Sequence, residues 1–255
     1  MEIIQTQDLC KTYRRFEKQP GLTGSVRALF RRQYEEKQAI KDFDLRVGEG
    51  ERVALIGPNG AGKTTLTKLL TGIIAPTGGI INVLGYIPNK LENDFKRQYA
   101  MVMGHKSQLF FELTAADTFS LFQTLYGIPK QTYQARLEEL TNLLEVRHLL
   151  NVQVRTLSLG ERMKMELIAS LLHGPRVLFL DEPTIGLDAK SQHAVRGFLN
   201  TVNEREGTTI VLTSHYLEDI RAVCPRCVAI SAGEKIFDGT TEAFLARYPE
   251  GVIDG

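Results

Sequence analysis

The sequence predicts an α/β fold, with a mainly parallel sheet flanked by helices, an antiparallel β portion and an inserted all-helical segment. Three observations carry that expectation. Short apolar runs alternate with helical periodicity along most of the 255 residues, the rhythm of strands joined by helical crossovers. A glycine-rich turn, Gly57-Pro58-Asn59-Gly60-Ala61-Gly62-Lys63-Thr64, connects a β-branched run to a helical one. Between about Gln108 and Thr156 the alternation stops and only helical patterns occur.

Strands are expected near Ile3–Leu9, Ala39–Val47, Arg52–Ile56, Tyr99–Val102, Val177–Leu180, Thr209–Thr213, Val228–Ser231 and Lys235–Asp238, where short apolar, β-branched runs are bounded by turn residues. A helix follows the glycine turn over Thr64–Leu70. Thr114–Tyr126 and Lys130–Leu144 read as helices separated by Gly127-Ile128-Pro129, a stop followed by a start signal. Arg162–Leu172 and Thr240–Tyr248 complete the helical set. The chain is read as one domain over residues 1–255. It divides into a core over about 1–108 and 157–255, a helical segment over about 109–156 and a basic insert over about 14–37.

With 43% hydrophobic residues the chain can bury a large core, and a net charge of +1 gives no reason to expect nucleic acid as a partner. No run approaches the roughly 18 apolar residues that span a bilayer. Met1-Glu2-Ile3-Ile4-Gln5 lacks the basic and apolar regions of a secretion signal. The expected location is cytoplasmic, and work at a membrane would require docking on a partner that spans it. Cys224-Pro225-Arg226-Cys227 has the C-x-x-C spacing of redox or zinc sites, but a closed zinc site needs four ligands. Small apolar residues at a helix-to-strand junction are expected there instead.

The turn at residues 57–64 fits the pattern G-x-x-x-x-G-K-S/T. Its glycines let the backbone curl around phosphate and aim N–H groups inward, while the following helix start favours an anion. Lys63 is placed to reach the β- and γ-phosphates of a nucleoside triphosphate, and the Thr64 hydroxyl to face magnesium. A second cluster is Val177-Leu178-Phe179-Leu180-Asp181-Glu182. An apolar strand ending in two carboxylates puts them at the carboxyl end of the sheet, where ligands of open α/β sheets bind. Asp181 is expected to hold magnesium through water. Glu182, facing the other way along an extended chain, is the expected base for the attacking water.

Leu157-Ser158-Leu159-Gly160-Glu161 resembles the signature motif of ATP-binding cassette (ABC) ATPases, and the other motifs of that family follow in order along essentially the whole chain. The resemblance implies a P-loop NTPase core and assigns roles residue by residue. Tyr13 would stack on adenine, and the loop residues Gly57, Pro58, Asn59, Gly60, Ala61, Gly62, Lys63, Thr64 and Thr65 would hold the phosphates. Gln108 would join Thr64 and Asp181 at Mg2+. Leu187-Asp188 would form the loop after the catalytic carboxylate, and His215 would contact the γ-phosphate. Ser158 and Gly160, with Glu161, would complete the site of a second cassette in a head-to-tail dimer of identical or different chains. Two departures from the usual Leu-Ser-Gly-Gly-Gln stand out: Leu159 in third place and Glu161 in fifth. Ser158 and Glu161 also form a capping-box pattern, so the Glu161 carboxylate is expected to turn back onto the helix start.

The resemblance further implies the ATP-hydrolysing subunit of a transporter, peripheral on the inner face of the membrane and working through separate permease subunits. Gly104-His105-Lys106-Ser107-Gln108-Leu109 and the residues around Ser158 look most like exporter cassettes that serve ABC-2-type permeases. The ending soon after Thr240–Tyr248 is unlike sugar importers with an added regulatory domain. The competing class is a non-transport ABC ATPase acting on ribosomes or DNA. The segment Arg14–Lys37, rich in arginine and lysine with Val26, Leu29 and Phe30 at helical spacing, reads equally as a basic amphipathic helix for anionic lipid or as a solvated surface insert.

Overall fold

The computed structural model describes residues 1–16 and 34–248. Two sheets organise it. Strands β1 (Glu2–Phe16), β2 (Tyr34–Gly48) and β4 (Gly78–Val83) form an antiparallel sheet in the order β2-β1-β4. Strands β3 (Arg52–Ile56), β5 (Tyr99–Met103), β6 (Val177–Asp181), β7 (Thr209–Thr213), β8 (Arg226–Ser231) and β9 (Glu234–Thr240) form the second, in the order β5-β6-β7-β3-β8-β9. Its pairs are parallel except for the terminal β8–β9 hairpin.

The central strands are apolar throughout because both faces of the parallel sheet are covered. Along β3, Val53 and Leu55 pack toward the antiparallel sheet and the helix α1 (Lys63–Leu70), with Phe43, Leu66 and Phe179. Ala54 and Ile56 pack on the opposite face with Leu167, Leu171 and Leu199, from the helices Leu159–Leu171 and Ala189–Glu206. The two-residue period of a strand thus sorts one apolar run into two cores.

After the four-residue helix α2 (Asn93–Lys96) and β5, residues 109–156 hold α3 (Ala115–Tyr126), α4 (Lys130–Leu143) and two single 3-10 turns, and no strand. Thr114 and Asp117 form a capping box that starts α3, and Gly127 in the left-handed region ends it. The chain returns through α5 (Leu159–Leu171), α6 (Ala189–Glu206), α7 (Leu217–Val223) and α8 (Thr241–Arg247). Cys224 and Cys227 are free and buried at the α7–β8 junction, where burial raises both thiols, Cys227 to about 11.

Two departures from the sequence expectations concern strands. β4 begins with two glycines, which mask its apolar alternation, and its place is set by pairing with β1 and by burial of Ile81 and Val83. The proposed insert is in part strand: residues 14–16 and 34–37 extend β1 and β2 as paired residues, with Arg14 bound to Glu36 at 2.8 Å. The helical reading of Val26, Leu29 and Phe30 lies outside the described residues.

Candidate functional site

β3 delivers the glycine turn to the carboxyl edge of the sheet. At Gly57, φ 154°, an added Cβ would lie 2.1 Å from the Ile230 carbonyl oxygen, and at Gly62, φ 119°, 2.7 Å from that of Ala39. Only glycine lets the loop approach its neighbours so closely. Ala61 is buried, while Pro58, Asn59 and Gly60 are exposed around the curve. Gly62 caps α1 without a side chain, so the first-turn N–H groups face the loop's hollow. Lys63, only 6% exposed, donates from Nζ to the carbonyls of Gly57 at 2.6 Å and Pro58 at 3.1 Å. Burial lowers its pKa, against the opposing pull of the Glu182 and Asp181 carboxylates.

The end of β6 supplies the carboxylates. Asp181 is buried and accepts from Thr213 Oγ1 at 2.6 Å and from Thr64 Oγ1 at 3.1 Å. A hydroxyl and a carboxylate side by side are hard oxygen donors of the kind Mg2+ takes together with its own waters. Among the described residues no group of three or more His, Cys, Asp or Glu is gathered to hold a metal, so an ion here would rely on these two residues, water and phosphate oxygens.

Glu182 does not continue the strand as expected. Its φ of 55° puts a non-glycine residue in the left-handed region, and its N–H donates to the Thr213 carbonyl at 3.0 Å. The chain turns there, so Glu182 is brought to the cleft beside Lys63 by a bend rather than by strand alternation. Its Oε1 lies 2.8 Å from His215 Nε2, on the turn after β7. A non-glycine residue in this conformation costs about 1–3 kcal/mol and is retained where its surroundings fix it. Tyr13, Lys37, Asn59, Gly60, Gly62, Lys63, Thr64, Thr65 and Glu182 line one cleft. Tyr13, 39% exposed, stands at its side directly across the β1–β2 pair from Lys37, and Lys11 Nζ lies 5.3 Å from its ring centre.

This cleft combines a phosphate-sized hollow, a buried ammonium, a hard-oxygen pair and a carboxylate held by an imidazole. Comparison with known proteins decides which family built it: the ABC transporter family model matches residues 40–185. The chain belongs to the ABC transporter family. It is 32% identical over 216 residues to the ABC transporter ATP-binding protein NatA of Bacillus subtilis, spanning 83% of this chain and 87% of NatA. To the Nod factor export ATP-binding protein I of Cupriavidus pinatubonensis it is 32% identical over 210 residues, 82% of this chain and 64% of that protein. A solved ATP binding subunit of an ABC transporter superposes with a TM-score of 0.77 at 25% identity, covering 99% of this chain and 95% of that one. The chain is an ATP-binding, ATP-hydrolysing subunit of this family.

Three cassette positions make contacts within their own chain, and Asp188 lies in the loop after Glu182 as expected. Gln108 is not placed with Thr64 and Asp181. Its amide nitrogen donates to the Glu166 carbonyl at 3.1 Å, and its backbone N–H to the Glu166 carboxylate at 3.1 Å. Glu166 is buried in α5 and also bonds Ser107 Oγ and the Leu109 N–H; desolvation raises its pKa against these bonds. Gly160 is buried in its own chain, where a Cβ would meet Ser191 Oγ at 2.2 Å. Asp188 caps α6, accepting from the Ser191 N–H at 2.9 Å and hydroxyl at 2.7 Å, bonds that lower its pKa.

Ser158 and Glu161 form the capping box at the start of α5. Glu161 Oε2 accepts from the Ser158 N–H at 2.9 Å and hydroxyl at 2.7 Å, which holds its pKa below the usual range. The Glu161 carboxylate therefore turns back on the helix start. Sequence reasoning missed Glu166 and His105. A lone glutamate in Met163-Lys164-Met165-Glu166-Leu167 signals a buried, partnered carboxylate. His105 carries no such signal; its Nε2 lies 3.7 Å from Glu182 Oε2.

Proposed function

We propose that this cassette binds Mg2+-ATP in the cleft between Tyr13 and Glu182 and hydrolyses it to drive export through separate membrane-spanning permease subunits. The observation that carries the reading is that Lys63, Thr64 and Glu182 line one cleft, with Asp181 bonded to Thr64 and His215 beside Glu182. The adenine ring stacks on Tyr13, and the loop N–H groups with Lys63 hold the phosphates. Mg2+, held by Thr64 and Asp181, supplies charge neutralisation at the phosphate oxygens. Glu182 takes a proton from the water whose oxygen attacks the γ-phosphorus; the bond to the β–γ bridging oxygen breaks, and ADP and phosphate leave. His215 holds the Glu182 carboxylate in position for that transfer.

Two cassettes, identical or different, work head to tail, with Ser158 and the exposed start of α5 of one completing the site of the other. Gly160 serves that surface only indirectly, by seating the helix start. No helix of the described residues is long and apolar enough to cross a membrane, which fits peripheral attachment on the inner face through a permease. Export as the direction is supported by the likeness to the Nod factor export ATP-binding protein I; a permease of the ABC-2 type rests on the residues around Gln108 and Ser158 alone.

Copurification of the tagged chain from detergent-solubilised membranes, with mass spectrometry of its companions, tests the transport reading. A polytopic membrane protein at stoichiometric yield is the expected result. Ribosomes, nucleic acid or no companion would transfer the same ATPase chemistry to a non-transport role.

A further inference from the structure

We infer that His105 is a second positioning residue for Glu182, so that the catalytic carboxylate is held by imidazoles on both of its oxygens. The inference rests on the reading of Glu182 as the base. His215 Nε2 lies 2.8 Å from Oε1, and His105 Nε2 lies 3.7 Å from Oε2. The second distance is too long for a direct hydrogen bond but within ionic contact and the reach of one bridging water.

What makes the contact more than chance proximity is how the backbone around His105 is fixed. On one side, the Gly104 N–H donates to the Asp181 carbonyl at 2.8 Å, and a Cβ on Gly104 would lie 2.3 Å from the Glu182 carbonyl oxygen. The loop is thus laid directly against the backbone of the catalytic residue, at a place only glycine allows. The Lys106 N–H closes a turn on the Met103 carbonyl at 3.2 Å, leaving His105 at its tip. On the other side, Glu166 of α5 holds Ser107, Gln108 and Leu109. The backbone on both sides of His105 is therefore held, between the end of β6 and the helix that begins at Ser158, while its side chain, 69% exposed, stands over Glu182. Gln108, three residues further on, is turned to the Glu166 carbonyl instead.

The test uses the purified full chain. Steady-state and single-turnover ATP hydrolysis and binding of a fluorescent ATP analogue are measured for wild type, His105→Ala, His105→Gln and Glu182→Gln. Expected are a roughly tenfold fall in kcat for His105→Ala with KM and analogue affinity within about twofold, and partial recovery in His105→Gln, which keeps an N–H donor. Adding His105→Ala to Glu182→Gln should lower the residual rate no further, a coupling that a merely structural role would not produce. With Glu182→Gln inactive, a His105→Ala kcat within about twofold of wild type overturns this inference alone. An equal loss in both backgrounds also overturns it. Glu182→Gln turning over at the wild-type rate overturns the base assignment, and this inference with it.

Discussion

The Ser191 hydroxyl lies 2.2 Å from where a methyl group on Gly160 would sit. That contact joins two helix starts: α5, capped by Ser158 and Glu161, and α6, capped by Asp188, whose carboxylate is bound to Ser191 itself. Leu159 extends the seam, because a Cβ on Gly186 would come within 3.1 Å of its Cδ2. The segment around Ser158 and the loop after Glu182 are thus packed against each other within one chain.

Gly160→Ala forces these two caps apart. The expected cost is about 1–3 kcal/mol, as for other insertions into packed interiors, read as a fall of roughly 2–4 °C in melting temperature per kcal/mol. Combining it with Ser191→Gly should recover most of the loss. Calorimetry showing the single variant as stable as wild type would contradict the packing role.

Glu182→Gln preserves the size of the side chain and removes its ability to take a proton. Hydrolysis should fall by about 10²–10⁴-fold, the usual contribution of a general base, with ATP affinity retained. The variant should elute as a dimer in size-exclusion chromatography only when ATP is present. Full activity would remove Glu182 from the mechanism.

Lys63→Ala deletes the only side-chain cation buried in the loop's hollow among the described residues. Charge-assisted contacts of this kind contribute about 1.5–3 kcal/mol, so ATP-analogue affinity should weaken by roughly ten- to a hundredfold, with turnover lost alongside. Unchanged binding and hydrolysis would be incompatible with the cleft as the nucleotide site.

His173 predicts a sensitivity to acid. It is stacked on Tyr126 with ring centres 4.1 Å apart, and its Nδ1 is buried without a partner among the described residues. Burial lowers its pKa from 6.5 to about 4. The unfolded chain therefore binds a proton more readily, and stability is lost as pH falls from about 6.5 toward 4. Each tenfold difference in proton affinity between the folded and unfolded chain is worth about 1.4 kcal/mol, so the loss approaches about 3 kcal/mol at most. Melting curves at pH 7 and pH 5 should converge in His173→Phe relative to wild type; an identical pH response in both proteins would refute this.

The shape of the glycine loop was legible because it is set locally, by glycines at fixed spacing between a strand and a helix. Asp181 was legible for a related reason, as the polar exit of a buried strand. What escaped the sequence were contacts made by backbones that lie far apart in the chain. The left-handed turn at Glu182 is held by Thr213, and nothing near Glu182 announces it. Gln108 and His105 sit three residues apart in one polar loop, and only the packing of Gly104 on Glu182 decides which of them reaches the carboxylate. β4 was hidden because its glycines have no side chains to alternate.

The tether from Glu166 has a consequence for how this chain can vary. It grips Gln108 and Leu109 by their backbone N–H groups, which every amino acid except proline possesses. Substitution at 108 gives up the Gln108 side-chain bond to the Glu166 carbonyl but keeps the backbone one, and the buried position 109 asks only for an apolar side chain. Proline at either place breaks the grip. The path of the loop is thus set at its two ends, by Gly104 against Glu182 and by a glutamate on a distant helix, and random mutagenesis should find those two sites intolerant while residues 106–109 accept replacement.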